Sequence, residues 1–500
     1  MSAANEEIAA LAKGGRTNVM GFALRLLARL PFLFIAGRFY GPEIVGRFAV
    51  AVLVVEFAAL VATLGLKRGL AQALSTTSRP HTHVVWDALI VALIASLIAS
   101  ALLIAFPQAM YPNSRVIGFE RLLPFVVFAI AGTDIALAAL AYRHNVKATV
   151  TARAIVEPWT ISIAAFVLYY ASSRDGLILS YVLATLATLV AALVPFLKSY
   201  GLPRGWVPHP TPMFALARRN MPLAGADTIE WATRNVDRFI LGLLFGPAVV
   251  GVYYMAQQVA SLPQKLKTSF DPVLGPVVTQ ALKRDDRAAV AAQIRQVGFW
   301  IMAAQAALAL IGSIPAEGVM GVIGPQFVVG AGALCFLLWA EVLASPGAVA
   351  ESGLVYVARH RNLMVSILIL SVQVALSFAL VAIMRRLGWP EAWQAAGPAV
   401  ALAVTLMLGS AVKGWLLAQL LKAPVSPLRW AFVWAVLATS LVGSAMTQLP
   451  EWAELTIGIP VMLIVYGVIL WRFAFGPEDR ALFSRIPRNE EPTLPIDERV

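Results

Sequence analysis

Two apolar stretches of this chain carry charge where a helix would place it deep among hydrophobic residues. Arg25 and Arg29 stand four apart in the run over 18–38 and so share a helical face. Asp227, Glu230, Arg234, Asp237 and Arg238 follow one another in the run over 221–245, and their spacings of three and four form one stripe. On that stripe Glu230 is expected to pair with Arg234, Asp237 to reach back to the same arginine, and Arg238 to face a lumen. Arginine suits phosphate, because its planar fork makes bidentate, charge-assisted hydrogen bonds. Arg25, Arg29, Arg234 and Arg238 are therefore the candidate anion ligands. Asp227, Glu230, Asp237 and Glu56 are the candidate coupling or ion-pair carboxylates. Asp134 and Glu341 are further acids within apolar runs, each a natural partner for an arginine.

Depth makes these charges informative. If the first helix starts near residue 18, Arg29 lies about 16 Å along it, close to the middle of a ~30 Å hydrocarbon core. Arg25 is near enough to the end to snorkel. An ionisable residue at a helix centre costs about 2.5–3.5 kcal/mol. Seven of them on two helices must line a water-filled cavity or pair with one another. A purely structural ion-pair clamp is the bland alternative.

No other constellation competes. The chain has no Gly-rich Lys-Ser/Thr loop for nucleotide phosphates. His81, His83, His144, His209 and His360 fall in loops, and His81-Thr-His83 alone is a weak metal signal. The single cysteine, Cys335, allows no intrachain disulfide. The sequence predicts no catalytic residue, no metal and no cofactor.

The elements that hold these residues are spans. Of 500 residues, 59% are hydrophobic and 13% charged, with a mean hydropathy of +0.77. About 25% charged is usual for a soluble domain, so the composition excludes that class. The net charge of +12 sits in short loops between apolar runs, which argues for topology rather than for a nucleic-acid partner. About fourteen runs are long enough to cross a bilayer: 18–38, 45–66, 86–107, 122–141, 154–171, 177–197, 221–245, 248–270, 290–314, 328–349, 363–384, 396–420, 430–449 and 455–474. Their length and lack of period-two alternation exclude strands. Of the lysines and arginines, 27 fall on the side of the termini and 7 on the other, so both termini are expected in the cytoplasm. Lys67 and Arg68, at the end of the second run, then mark a cytoplasmic gate.

The chain also repeats itself. Gly41-Pro42-x-x-Val45-Gly46 joins the first two runs, and Gly246-Pro247-x-x-Val250-Gly251 joins the seventh and eighth. The offset is 205, and the same offset carries Arg29 onto Arg234. Six spans between repeats keep the orientation, so the halves are related by an axis along the membrane normal, with a path between them. Pro31, Pro124, Pro158, Pro195, Pro222, Pro263, Pro315, Pro346 and Pro398 lie in or at the ends of the runs and permit bending.

The expected architecture is all-α and polytopic. It comprises a cytoplasmic N-terminus (1–17), a six-helix bundle (18–200), a cytoplasmic linker (201–219), a second six-helix bundle (220–424), two additional helices (425–475) and a tail (476–500). The tail's polar, Pro-containing composition reads as disordered.

The segment Gly37-Arg-Phe-Tyr-Gly-Pro-Glu-Ile-Val-Gly-Arg-Phe-Ala49, followed by Thr63-Leu-Gly-Leu-Lys-Arg68, resembles the opening of bacterial polysaccharide transporters. These are the Wzx-like oligosaccharide flippases, whose superfamily also holds multidrug and toxic compound extrusion transporters and lipid II flippases. Leu244-Phe-Gly-Pro-x-x-Val-Gly-x-Tyr253 resembles the start of that family's second half. The resemblance implies two six-helix bundles in a V that alternate between inward- and outward-open states in the bacterial inner membrane. It implies an oligosaccharide on polyprenyl pyrophosphate as substrate, cationic residues in the cavity, and membrane lipids, a polysaccharide polymerase and glycosyltransferases as partners. The rival readings are a lipid II flippase, a cation-coupled multidrug exporter and a non-transporting scaffold of a glycan-assembly complex.

Overall fold

Hydrocarbon offers no partner for a backbone N–H or C=O, so long apolar runs must satisfy their backbone internally, as helices. A computed structural model describes residues 28–268 and 286–480, and all regular structure among them is helical. Fourteen spans follow in the expected order. The first is described from residue 28 to Tyr40, and the next seven are Gly41–Ala62, His81–Ala105, Leu123–Tyr142, 146–171, Gly176–Tyr200, Pro210–Leu244 and Pro247–Thr268. The last six are Arg287–Ser313, Ala331–Val357, Arg359–Arg386, Glu391–Leu421, Trp430–Met446 and 451–474.

Ten runs among the described residues are long and apolar enough to cross a membrane, the first of them, Ala28–Thr76, taking in two spans. The chain is a multi-pass membrane protein. Its outer faces agree: Leu97, Ile98, Ile163, Val190 and Leu441 are all more than half exposed. A surface this apolar is stable only against lipid.

Several boundaries differ from the sequence reading. The second span ends at Ala62, and the chain turns through Leu64 and Gly65, both at positive φ, into a further helix, Leu66–Thr76. Lys67 and Arg68 therefore open a helix rather than lie in a loop. The seventh span starts at Pro210 instead of 221, so Arg218 and Arg219 are helical. The fifth starts at Val146 instead of 154 and passes through a wide π-turn, Thr151–Val156, which makes Arg153 helical as well. Arg25, Lys283 and Arg284 lie outside the described residues, as do most of the N-terminal segment and of the tail. Pro195, Pro222, Pro263, Pro346 and Pro398 are inside helices and Pro158 lies within the fifth span just after its π-turn, whereas Pro124 occupies a first turn, where a missing N–H costs nothing.

The repeat is visible in the packing. Spans 2 and 4, 3 and 4, 4 and 6, and 5 and 6 pack together, and so do their counterparts 8 and 10, 9 and 10, 10 and 12, and 11 and 12. Spans 13 and 14 pack on each other and against span 9. Asp479 fastens that pair, accepting from Trp300 Nε1 at 2.7 Å, Arg429 NH1 at 2.6 Å and Gly476 N at 2.8 Å.

Span 2 packs along span 8 where the two repeated segments cross. A Cβ on Gly46 would overlap the carbonyl oxygen of Pro247, and a Cβ on Gly251 would overlap that of Pro42. Each glycine thus meets the proline of the other repeat, as a two-fold axis requires. The same end is latched by side chains that donate to backbone carbonyls of the other half. Asn113 Nδ2 reaches Gly242 O at 3.0 Å and Phe245 O at 3.1 Å, Arg38 NH2 reaches Val322 O at 3.1 Å, and Gln326 Nε2 reaches Gly37 O at 3.1 Å.

Candidate functional site

Between the halves lies a cavity of about 320 Å³, lined from spans 1, 2, 5, 6, 7, 8, 10 and 12. Four arginines reach it: Arg29 and Arg153 from the first half, Arg234 and Arg238 from the second. Three carboxylates, Glu56, Glu157 and Glu341, share the lining with Tyr181, Tyr254, Asn235, Gln257 and Ser261. Arg29 precedes the turn at Gly41 by twelve residues and Arg234 precedes Gly246 by the same number, which sets both about 18 Å into their helices. The sequence repeat therefore delivers two arginines to one depth from opposite sides.

Their surroundings differ. Arg29 is exposed to the cavity and makes no ion pair or hydrogen bond with a described residue. Arg234 NH1 donates to Glu341 Oε1 at 2.7 Å. Arg238 is 5% exposed; its NH2 donates to Asn235 Oδ1 at 2.9 Å, its guanidinium lies 5.3 Å from the Tyr254 ring centre, and its Nε has no hydrogen-bond partner. A buried donor without an acceptor is costly unless a water or ligand meets it.

The acidic stripe of the seventh span does not pair along itself as the spacing predicts. Glu230 Oε2 accepts from Arg68 NH2 at 2.7 Å rather than from Arg234, and Asp227 Oδ1 lies 2.8 Å from Arg68 Nε. Asp237 does not reach back to Arg234. It is fully buried against the eighth span, where Tyr253 Oη donates to it at 2.5 Å and Gln257 Nε2 at 3.4 Å. A helix 35 residues long meets several neighbours along its length, and each takes its own member of the stripe. Glu56 accepts from Tyr181 Oη at 3.5 Å and stays at the cavity.

Lys67 and Arg68 stand together beyond the cavity, at the end away from the repeated Gly-Pro turns. Lys67 Nζ donates to Asp134 Oδ2 at 3.2 Å, within its own half, while Arg68 crosses to the seventh span. Arg68 is half exposed and Glu230 is exposed, so that pair holds with the ~0–1 kcal/mol of a solvated ion pair, whereas Asp227 is buried.

Arg153 was missed from sequence. It sits in the π-turn, which turns it inward; wide turns of this kind recur at functional sites. Its only sequence signal is Glu157 four residues on.

The family model described as "Polysaccharide biosynthesis protein" matches residues 11–282, more than half the chain. The chain belongs to the polysaccharide biosynthesis protein family. Solved structures similar to this family member share its fold across nearly their whole length. An inward-facing multidrug resistance MATE family transporter of the MOP superfamily is 16% identical, with a TM-score of 0.64 over 80% of this chain and 96% of that one. The lipid II flippase MurJ, in an inward closed conformation, is 11% identical, with a TM-score of 0.66 over 90% and 98%. A MOP superfamily transporter from Pyrococcus furiosus is 14% identical, with a TM-score of 0.55 over 84% and 96%. At such identities the likeness establishes the fold alone. No curated protein matches the chain by sequence.

Proposed function

We propose that this family member is a flippase that carries a polyprenyl-pyrophosphate-linked oligosaccharide across the bacterial inner membrane, its two halves alternating access to the central cavity. The observation that carries the reading is the state of the arginines. Arg29 makes no ion pair or hydrogen bond with a described residue, and Arg238 keeps a buried donor unpartnered. An ion-pair clamp leaves neither feature; a site kept ready for a multivalent anion has both. The diphosphate would sit on the arginine forks, with sugars against the polar lining and the lipid chain left in the bilayer.

On this reading both termini and the Arg68 ion pairs face the cytoplasm, and the Gly-Pro crossing faces the periplasm. An inside-negative potential then favours outward movement of the anion by about 2.3 kcal/mol per charge per 100 mV. Four arginines against three carboxylates in the lining weigh against organic cations as cargo. The reading makes the chain a transporter, with the glycan polymerase and glycosyltransferases as its neighbours in assembly.

Deletion of the gene is expected to abolish the surface glycan and to trap lipid-linked precursor on the cytoplasmic leaflet. Surface glycan and leaflet-resolved precursor are the quantities to measure. A deletion strain with normal surface glycan and no trapped precursor contradicts the assignment.

A further inference from the structure

Arg153 lines the cavity yet belongs to none of the residues that the repeat or the stripe singled out. Its fork is divided between two carboxylates. NH2 donates to Asp134 Oδ1 at 2.5 Å, and NH1 donates to Glu157 Oε2 at 2.9 Å. The two acids are not equivalent. Asp134 is 11% exposed, stands behind the cavity wall and is held from its far side by Lys67 Nζ at 3.2 Å. Glu157 is 28% exposed and is itself part of the lining. Asp134 therefore aims the guanidinium, while Glu157 occupies the edge of the fork that faces the lumen.

We propose that Arg153 is a further anion ligand of the central cavity and that Glu157 is the counter-ion it exchanges for the substrate's diphosphate. The inference rests on the anion reading above and deepens it. A carboxylate on a guanidinium edge occupies the place that two phosphate oxygens would take. The other half repeats the device, since Arg234 meets Glu341 at 2.7 Å on the lining. Each half then offers two arginines, and in each half one of them is held by an exchangeable acid. Asp134 is a positioning residue: it fixes the fork without meeting the ligand.

A structural clamp and an exchangeable counter-ion differ in sign. Removing either member of a clamp weakens the protein and leaves ligand affinity alone. With a counter-ion, Arg153→Ala weakens anion binding, whereas Glu157→Gln removes the competitor and tightens it. The test is calorimetric titration of the full-length protein in detergent with farnesyl pyrophosphate and, separately, with inorganic pyrophosphate. Arg153→Ala is expected to weaken both about tenfold or more, the worth of a charge-assisted hydrogen bond, and Arg153→Lys to recover part of it. Glu157→Gln is expected to tighten both several-fold. The Gln and Lys variants keep size and polarity, so the result does not depend on the alanine variant folding. If Arg29→Ala weakens binding while Arg153→Ala and Glu157→Gln leave it unchanged, this inference fails and the anion reading stands. If the wild-type protein binds neither ligand, both fail. If the Glu157→Gln effect is confined to farnesyl pyrophosphate, recognition is of the lipid chain and the counter-ion idea is overturned.

Discussion

Gly46→Ala and Gly251→Ala are each expected to abolish export while leaving the protein in the membrane. At both positions the first side-chain carbon would overlap a backbone carbonyl oxygen, that of Pro247 or of Pro42. Neither obstacle is the end of a flexible side chain, so relief requires separating spans 2 and 8. Overpacking of this kind costs about 1–3 kcal/mol where side chains can adjust, and here they cannot. The penalty falls on one state only, the one in which the Gly-Pro end is closed, so the equilibrium shifts toward opening at that end by about tenfold to a hundredfold. With Cys335 replaced, a single cysteine at Gln326, whose amide bridges to Gly37 O, reports the change through labelling by a membrane-impermeant maleimide. Faster labelling with loss of surface glycan is the expected result. Unchanged labelling and normal export contradict the role given to the crossing.

The second large effect separates stability from transport at Arg234. Removing the guanidinium leaves Glu341, 8% exposed, without its 2.7 Å partner. Breaking a buried pair from one side costs about 3–5 kcal/mol, and residual exposure of the arginine sets this case at the lower end. Arg234→Ala is thus expected to lower the melting temperature and to stop export. Adding Glu341→Gln removes the orphaned charge. The double variant is expected to regain most of the melting temperature and none of the export. Recovery of both together makes the pair a structural clamp, and Arg234 then has no part in binding.

How far these features were legible depends on the distance over which each is determined. Gly41-Pro42 to Gly46 and Gly246-Pro247 to Gly251 matched at one offset because a two-fold crossing demands the same small residues twice. Arg29, Arg234 and Arg238 were legible as lumen residues because burial in lipid is so costly that almost any intramembrane arginine must face a cavity. Partners were not legible. The i,i+4 spacing of Glu230 and Arg234 says that they share a face, but Arg68 and Glu341 come from helices far away in sequence and take one each. Asp237 went to Tyr253 for the same reason. Arg153 was hidden because an apolar window begins at 154, whereas the helix begins at Val146 and carries Arg153 in the π-turn that follows its first turns.

Among the four arginines, Arg29 gives the cleanest reading of the central claim, because it holds no described partner whose loss would disturb the fold. The measurement is transbilayer movement of a fluorescent polyprenyl-pyrophosphate sugar in proteoliposomes, read by quenching of the outer leaflet. Wild-type protein is expected to expose the whole pool to quencher, and Arg29→Ala, at the same reconstituted amount and melting temperature, to leave the inner-leaflet fraction protected. Equal movement by the two proteins would contradict an arginine-lined anion path between the halves.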